Sequence, residues 1–474
     1  MKHYYLLLLV LATKLFANAQ IINFPDANFK AKLLAASPMN TIASNGGLDF
    51  IKIDSNNDNE IDVNEALQII TLNVSIANIS NIAGIEYFVN LRSLNCNQNQ
   101  ISTIEIGNLI RLKSLLCNLN LLTSLNLTGL TQLITLECAE NTLTQINFAN
   151  ATNIQFLSCK FNFLTALEIN NLLNLQTLQC DYNQLTTLNV SALTQLTTLN
   201  CPSNQFTVLD FSALVNLTAL NCASNQLTAL DVNNLNHLIT LNFADNQITS
   251  IELTNLTNLS ILNCESNQIS NPFVLSNMAA LNSLYCQENF IPSITFNETQ
   301  NIEVLDCSAN QISTLDASSM SSLSILNCHN NPLLTTLNIK NGSSEQFLNL
   351  SGNQNLSYIC ADVAQITTIE NLIAEYGYSN CQVNSLCDLA APDFAANILI
   401  LVYPNPTKNL LHLQSNEVVT LKSIYLYNLL GQTVLTISNA KNLSTIDVSN
   451  LKTGSYFIKM VTEKGTTTEK FVKE

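Results

Sequence analysis

Apolar and polar positions repeat along the middle of the chain with a period of 21 or 22 residues. In one typical repeat Leu196, Leu199 and Cys201 are apolar, polar residues separate them, and Asn204 follows. The alternation over Leu199-Asn200-Cys201 is typical of a half-buried strand. One period accommodates a strand, a turn and a return segment, and a single repeat cannot bury its apolar face alone. The pattern therefore predicts a solenoid whose strands stack in one parallel sheet.

An asparagine marks each of thirteen repeats, and Gln-Leu/Ile-Thr-x-Leu follows it, as from Gln184 to Leu188. This pattern resembles the leucine-rich repeat, in a short bacterial form with cysteine at the third apolar strand position. The resemblance covers about residues 89–355 and implies a parallel β-sheet arc. We expect the asparagines to point inward and to satisfy backbone groups of the turns. They are Asn99, Asn120, Asn141, Asn162, Asn183, Asn204, Asn225, Asn246, Asn267, Asn289, Asn310, Asn331 and Asn353.

Cysteine occupies one column of the repeat eleven times, and Phe243 and Leu350 replace it in two other repeats. These replacements indicate an apolar, buried position, so we favour free thiols over a disulfide ladder or a metal ladder. In-register strands do not readily meet disulfide torsions, and a metal needs clustered ligands. Cys360, Cys381 and Cys387 lie outside the column. If the chain is exported, we expect one pair among them to close a C-terminal cap, and we favour Cys360–Cys381. The column contains Cys96, Cys117, Cys138, Cys159, Cys180, Cys201, Cys222, Cys264, Cys286, Cys307 and Cys328.

Residues 1–19 have the three parts of a secretory signal peptide: a basic start, an apolar run and the small-residue site Ala17-Asn18-Ala19. A membrane anchor is the alternative, but Lys14 interrupts the run, which is too short to span a bilayer. We expect cleavage after Ala19 and no transmembrane helix in the mature protein. The remaining segments are predicted as an N-terminal cap at 20–88, a C-terminal cap at 356–390 and a linker at 391–399.

Residues 54–65 fit the twelve-residue calcium loop of an EF-hand. Asn59 stands where glycine is usual, and asparagine also tolerates the left-handed conformation. The alternative is an acidic, solvated turn that binds nothing. We expect an EF-hand-like N-terminal cap clipped by a structural Ca²⁺ ion. The predicted ligands are the side chains of Asp54, Asn56, Asp58, Asp62 and Glu65 and the backbone carbonyl of Glu60.

The last 75 residues differ from the repeats. Short alternating segments separated by turn residues predict a small β-sandwich. Three motifs occur in order: Tyr-Pro-Asn-Pro at 403–406, Leu-Gly-Gln-Thr-Val at 430–434, and Leu-Lys-Thr-Gly-Ser-Tyr-Phe at 451–457. Together they resemble the type A sorting domain of the bacterial type IX secretion system over residues 400–474. The resemblance implies handling by the type IX machinery, removal of this domain, and a location at the outer surface of a Gram-negative, Bacteroidetes-like bacterium.

The net charge of −16 is unevenly distributed. Residues 20–399 carry eight basic and 29 acidic side chains, a net charge of −21, and no base lies between Lys160 and Lys340. This acidity argues against nucleic acid, which needs a basic footprint, and against docking on anionic lipid. The four histidines have no evident nucleophile partner, and the scattered acids form no assignable acid–base pair. The sequence therefore does not indicate an enzyme.

Residues beside the inward strand positions of a leucine-rich repeat arc face its concave side, where most are uniform Thr and Asn. Departures from that background cluster in consecutive repeats and place aromatic side chains next to charges, as interface anchors do. The alternative is drift on a tolerant surface. We expect a surface-exposed binding or adhesion protein for a protein or glycan ligand; a passive surface-layer component is the alternative, and a hydrolase is disfavoured. The candidate ligand-binding residues are Glu137, Phe156, Lys160, Phe161, Asp181 and Tyr182.

Overall fold

A computed structural model describes residues 20–47, 49–387, 400–415, 420–429, 431–441, 443–462 and 465–474. The chain divides into two compact units, residues 1–385 and 386–474. The predicted signal peptide and the predicted linker at 391–399 lie outside the described residues. In the described ranges, no helix combines the length and the apolar character needed to cross a membrane.

The first unit is built around one sheet of 15 strands, the main sheet. Its strands run parallel and in register, one per repeat, so that Leu199 pairs with Leu178 and Leu220; only the first strand is antiparallel. The predicted solenoid with a parallel sheet is confirmed, and the sheet extends into the predicted N-terminal cap. The strands are Ala43–Ser44, Thr71–Asn73, Ser93–Asn95, Ser114–Leu116, Thr135–Glu137, Phe156–Ser158, Thr177–Gln179, Thr198–Asn200, Ala219–Asn221, Thr240–Asn242, Ile261–Asn263, Ser283–Tyr285, Val304–Asp306, Ile325–Asn327 and Phe347–Asn349.

Shorter elements lie in the return segments and at the two ends of the solenoid. Two pairs of parallel strands, Ser124–Asn126 with Gln145–Asn147 and Phe273–Ser276 with Ile294–Asn297, form on the return side. A four-stranded sheet comprises Thr314–Asp316, Thr336–Ile339, Tyr358–Ala361 and Gln382–Asn384. The α-helices are Ala27–Leu34, Val63–Ala66 and Ile366–Glu375, and the 3₁₀ turns are Ile85–Tyr87 and Val363–Gln365. The terminal helices cover the core at the ends, because a stacked sheet has no neighbouring repeat there.

The core consists of the inward strand positions, and the cysteine column is part of it. All eleven column thiols are buried and free, which confirms the prediction, and Phe243 and Leu350 are fully buried in the same column. Several thiols donate to the next strand, as Cys117 Sγ does to the Glu137 carbonyl at 3.3 Å. Burial raises the pKa of the Cys222 thiol from 9.0 to about 12, and it shifts the pKa of the other column thiols in the same direction.

The recurrent asparagines form a ladder of hydrogen bonds next to the cysteine column. Asn204 Nδ2 lies 3.0–3.2 Å from the carbonyl oxygens of Cys180, Cys201 and Pro202. Its Oδ1 accepts the backbone N–H of Leu185 at 3.0 Å. Each amide therefore joins two successive repeats and satisfies backbone groups that the turn leaves unpaired. The inward orientation predicted from the sequence is confirmed.

The residue before the ladder asparagine adopts a left-handed conformation in twelve successive repeats, with φ between 50° and 55°. Its N–H donates to the next repeat, as Phe161 N does to the Asp181 carbonyl at 3.0 Å. The hydrogen bonds between repeats therefore continue past the strand and into the turn. We call these positions the turn column: Gln98, Leu119, Glu140, Phe161, Tyr182, Ser203, Ser224, Asp245, Ser266, Glu288, Ala309 and Asn330.

The predicted Cys360–Cys381 disulfide is wrong. Cys381 is a free thiol, whereas Cys360 and Cys387 are disulfide-bonded. The reason is strand register: Cys360 lies opposite Asn384 in the parallel pair formed by Tyr358–Ala361 and Gln382–Asn384. Cys381 is three residues before Asn384, about 10 Å along the strand. That separation exceeds the roughly 7 Å between Cα atoms that a disulfide can bridge. Cys387 is also three residues from Asn384, but the chain bends at Ser385 and Leu386 after the strand ends and can return towards Cys360.

The second unit contains two antiparallel sheets around a shared apolar core. The strands Ile400–Tyr403, Leu410–Ser415 and Thr445–Asp447 form one sheet, and Leu421–Asn428, Thr433–Ser438, Gly454–Thr462 and Gly465–Lys473 form the other. Ile400 and Leu411 from the first sheet share the core with Ile458 and Phe471 from the second. The Tyr-Pro-Asn-Pro motif is tied to the last strand by Asn405, whose Nδ2 donates to the Lys470 carbonyl and whose Oδ1 accepts the Val472 N–H.

Candidate functional site

The open face of the main sheet carries three of the predicted residues in one depression. Glu137 and Phe156 occupy outward positions on adjacent strands, and Lys160 follows the second of these strands. All three are half-buried and line a depression of about 460 Å³ together with Leu119 and Glu140. The in-register stacking of the repeats brings these residues together, because residues one period apart become neighbours on the surface.

Phe161 and Tyr182 are neighbours in the turn column, and their rings stack on each other. The ring centroids are 4.3 Å apart, and the ring planes differ by 9°. Both side chains remain exposed, Phe161 at 42% and Tyr182 at 52%. The pair is therefore a flat apolar surface open to solvent, beside the depression that contains Glu137 and Phe156.

The backbone conformation makes this pair costly for the fold. Phe161 and Tyr182 have φ values of 52° and 53°, in the left-handed region that bulky residues avoid at a cost of roughly 1–2 kcal/mol each. At the equivalent position, Ser203 and Ser224 show that small polar residues satisfy the same turn. Stability of the turn alone therefore does not account for two aromatic residues here, and such outliers are a motive for proposing function.

Two further exposed apolar residues, Leu121 and Phe163, were not predicted as part of the site. They are 52% and 51% exposed and directly follow the ladder asparagines Asn120 and Asn162. Most repeats have glutamine at that position, so the departure from glutamine was the available signal. We call the exposed apolar residues together the aromatic edge: Phe161, Phe163 and Tyr182 lie in consecutive repeats, and Leu119 and Leu121 lie on the other side of the repeat that carries Glu140.

The acidic residues of the site differ in accessibility. Glu140 is exposed, and Glu137 is half-buried with its Oε2 accepting from Asn118 Nδ2 at 2.7 Å. Asp181 is only 5% exposed, accepts from Asn200 Nδ2 at 3.1 Å, and has its pKa raised by burial. Asp181 therefore lies beneath the exposed surface, where it holds the Asn200 side chain rather than being open to a ligand. Neither Glu137 nor Glu140 forms an ion pair with a described residue, since the described ion pairs lie in the N-terminal cap.

The predicted calcium loop is held by its own hydrogen bonds. Glu65 Oε1 accepts the N–H groups of Ser55 and Asn56, and Glu65 Oε2 accepts the Asp62 N–H at 3.1 Å. The side-chain oxygens of Asp54 and Asn56 both accept the Asp58 N–H. Over the described ranges, no three acidic, histidine or cysteine side chains converge as metal ligands would.

The flanking elements of this loop also differ from those of an EF-hand. The helix Ala27–Leu34 ends about twenty residues before the loop, and the helix that follows, Val63–Ala66, is a single turn. Lys30 forms an ion pair with Glu60 at 2.6 Å, so the first helix is tied to the loop from the side. One feature does match a calcium loop: Asn57 and Asn59 are left-handed, with φ of 64° and 63°.

Comparisons with known proteins show a family match for the C-terminal residues and a fold similarity for the chain. Residues 401–474 match the family of secretion system C-terminal sorting domains. The chain is similar to a leucine-rich repeat protein from Leptospira interrogans, with 23% identity, a TM-score of 0.54, and coverage of 68% of this chain and 85% of that one. This similarity shows the leucine-rich repeat fold. No curated protein sequence matches the chain significantly.

Two structures from Listeria monocytogenes are also similar to the chain. The functional domain of InlJ, which includes a cysteine ladder, is 22% identical with a TM-score of 0.48; the match covers 96% of this chain and 99% of that one. The internalin InlF is 28% identical with a TM-score of 0.47, over 64% of this chain and 94% of that one. The Leptospira similarity and the family match together give a leucine-rich repeat solenoid followed by a sorting domain, and that domain indicates secretion and attachment at the cell surface.

Proposed function

We propose that this protein is exported by the type IX system of a Gram-negative, Bacteroidetes-like bacterium and binds a protein ligand at the cell surface. Binding takes place on the aromatic edge and the adjoining depression of the main sheet. The sorting domain supports the location, and the leucine-rich repeat scaffold supports binding rather than catalysis. Residues 400–474 engage the secretion machinery and are removed when the repeats are attached.

The exposed Phe161–Tyr182 stack is the observation that carries the proposal. Two aromatic rings at 4.3 Å form a rigid apolar surface that costs little side-chain entropy to immobilise. Aromatic anchors beside charged groups are the residues that dominate binding energy in protein interfaces. A passive surface-layer component would have no requirement for them, because Ser203 and Ser224 complete the same turn.

Replacing both rings by serine tests this function. We expect Phe161→Ser/Tyr182→Ser to weaken ligand binding by at least 100-fold, because each interface anchor contributes about 2 kcal/mol or more and the variant removes two. The mature full-length chain is used to capture ligands from community or host extracts. The affinity of each captured protein is then measured directly for wild type and variant.

Phe290→Ser is the matched control, since Phe290 is 50% exposed at the position of Phe163 but lies in a distant repeat. The proposal requires wild-type affinity for this control. Equal binding by wild type and the double variant would contradict a site at the aromatic edge. If wild type captures no specific ligand from any extract, the passive surface-layer role is the better description.

We also propose, from its sequence, that the loop at residues 54–65 takes up Ca²⁺ as a structural clip. Support comes from the oxygen-bearing side chains at the calcium-loop positions and from the left-handed Asn59. Ca²⁺ would compete with the backbone N–H groups that now donate to the Glu65 carboxylate. Binding of the ion would therefore change the hydrogen bonds that hold the loop. We expect Ca²⁺ to raise the melting temperature by several degrees, corresponding to about 1–3 kcal/mol at saturating ion.

Thermal melting with Ca²⁺ and with chelator measures this effect. Asp58→Asn should abolish the difference while leaving the melt in chelator nearly unchanged, because Asp58 is exposed. Mg²⁺ serves as the control ion, since this loop has the ligand number and spacing of a calcium site. Identical melts in Ca²⁺ and chelator would leave the loop as a turn closed by hydrogen bonds alone.

A further inference from the structure

We infer that the site on the main sheet recognises a basic protein segment, with an arginine or lysine side chain seated against the aromatic edge and beside Glu137 and Glu140. This inference rests on the proposed function and names the chemistry of the partner. It is carried by the order of residues along the turn column and by the distribution of charge around it.

The order of the turn column places an acid directly beside the aromatic stack. Glu140, Phe161 and Tyr182 occupy consecutive repeats, and Glu140 N donates to the Lys160 carbonyl at 3.0 Å across that boundary. Since one face of the Phe161 ring is covered by Tyr182, its other face is directed towards the repeat of Glu140. Consecutive in-register repeats are about 5 Å apart. A cation on this ring face therefore contacts the π-system and reaches the carboxylate together.

The charge around the site is acidic and largely uncompensated. Glu137 and Glu140 line the depression without an ion pair to any described residue. Lys160 is the single base of the depression, and its charge already favours the ionised form of the buried Asp181. Farther along, the turn column carries Asp245 and Glu288 and no base. The surface therefore attracts a basic partner, and the attraction extends along the following repeats.

Arginine is the side chain that satisfies both parts of the site. Its planar guanidinium stacks on aromatic faces and donates to carboxylates in the same plane. Lysine satisfies the charge but stacks less well. The aliphatic stem of either side chain can lie along Leu119 and Phe161, which extends the apolar contact. A neutral glycan would use the ring faces but would gain little from Glu137 and Glu140.

The test uses defined peptides and the mature full-length chain. The probe is a twelve-residue peptide of alternating arginine and serine, and its matched control has citrulline in place of every arginine. We expect the arginine peptide to bind at low salt and the citrulline peptide to bind at least tenfold more weakly. Glu137→Gln/Glu140→Gln, and separately Phe161→Ser/Tyr182→Ser, should each weaken the arginine peptide at least tenfold.

A variant with the same change in net charge separates this site from general attraction to an acidic protein. Asp210→Asn/Asp231→Asn neutralises two exposed acids in the return segments and should alter the affinity less than twofold. Equal weakening by this control would overturn the inference, as would failure of the wild type to bind the arginine peptide. If Phe161→Ser/Tyr182→Ser loses the captured ligand but Glu137→Gln/Glu140→Gln binds it normally, the inference of a cationic partner is wrong. The proposed binding function would then still stand.

Discussion

Raising the pH from 8 to about 10.5 is expected to unfold the repeat unit. The cause is the column of eleven buried thiols, whose pKa values are raised by burial, to about 12 for Cys96, Cys159, Cys222 and Cys328. Below pH 9 the thiols are protonated in both the folded and the unfolded chain. Above pH 9 only the unfolded chain releases these protons, so the stability contributed by the raised pKa values is lost as the pH rises.

The size of this effect follows from proton linkage. Each thiol lowers the free energy of unfolding by roughly 1 kcal/mol for each pH unit above 9. For the whole column this amounts to on the order of 10 kcal/mol near pH 10, comparable with the total stability of an ordinary domain. Circular dichroism of the reversible transition, together with urea midpoints at pH 8 and pH 10, measures the loss.

A variant with fewer thiols tests the cause. Replacing Cys159, Cys180, Cys201 and Cys222 by valine should reduce the pH-dependent part of the loss by roughly a third. Phe243 and Leu350 show that the column accepts larger apolar side chains. Comparing each protein with itself at the two pH values removes any effect of the substitutions on neutral stability. The same pH dependence in both proteins would exclude the thiols as its cause.

Removing one rung of the asparagine ladder should destabilise the solenoid by about 2–3 kcal/mol. In Asn204→Ala the Leu185 N–H loses its only acceptor in the ladder, and the carbonyls of Cys180 and Cys201 each lose one of two amide donors. A buried polar group without its partner costs about 1–3 kcal/mol. Urea unfolding should show the midpoint lowered, with local opening between the repeats on either side.

Asn216→Ala is the control for this prediction. Asn216 is exposed, and its Nδ2 donates to the Thr194 carbonyl at 2.9 Å, so water can replace the lost bond. We expect a change below about 0.5 kcal/mol for this substitution. Asn204→Asp should be at least as damaging as Asn204→Ala, because it removes the donor and places a charge in a buried site. Equal midpoints for the two alanine variants would contradict the ladder as a main source of stability.

The repeat architecture could be predicted from the sequence because each rung repeats the same constraint. Leu199 and Cys201 show the alternation of a half-buried strand. Each repeat can bury its apolar face only against the neighbouring repeats, so the repeated pattern predicts a stacked solenoid. The cap could not be predicted as well, because the choice between Cys381 and Cys387 depends on the register of a single strand and on the bend that follows it. Likewise, the spacing of Asp54 to Glu65 indicates ligands but not whether backbone N–H groups already engage them.

Part of the candidate site could also be predicted from the repeat pattern. Phe161 and Tyr182 are the two aromatic residues of the turn column and lie one period apart, so the sequence alone marks them as neighbours. Their left-handed backbone and the stacking of their rings follow from the turn geometry, which periodicity does not show. Leu121 and Phe163 were missed because they lie beyond the strand, where its alternation no longer predicts which side chains are exposed; in the structure this position is exposed in nearly every repeat. Asp181 was placed in the correct repeat, but its burial depends on packing beneath the strand.

The uniform rungs also bear on how such a gene changes length. Because Asn204 makes the same bonds to its neighbours as Asn225 does, excision of one whole repeat joins two ends that already match. Coding segments for repeats of the same length and pattern can recombine unequally, and the products keep the reading frame when complete repeats are exchanged. Gain or loss of repeats after Tyr182 would leave the aromatic edge intact. It would change the length of the acidic stretch of repeats that follows and ends before Lys340. Length can therefore diversify among descendants of this gene without loss of the binding surface.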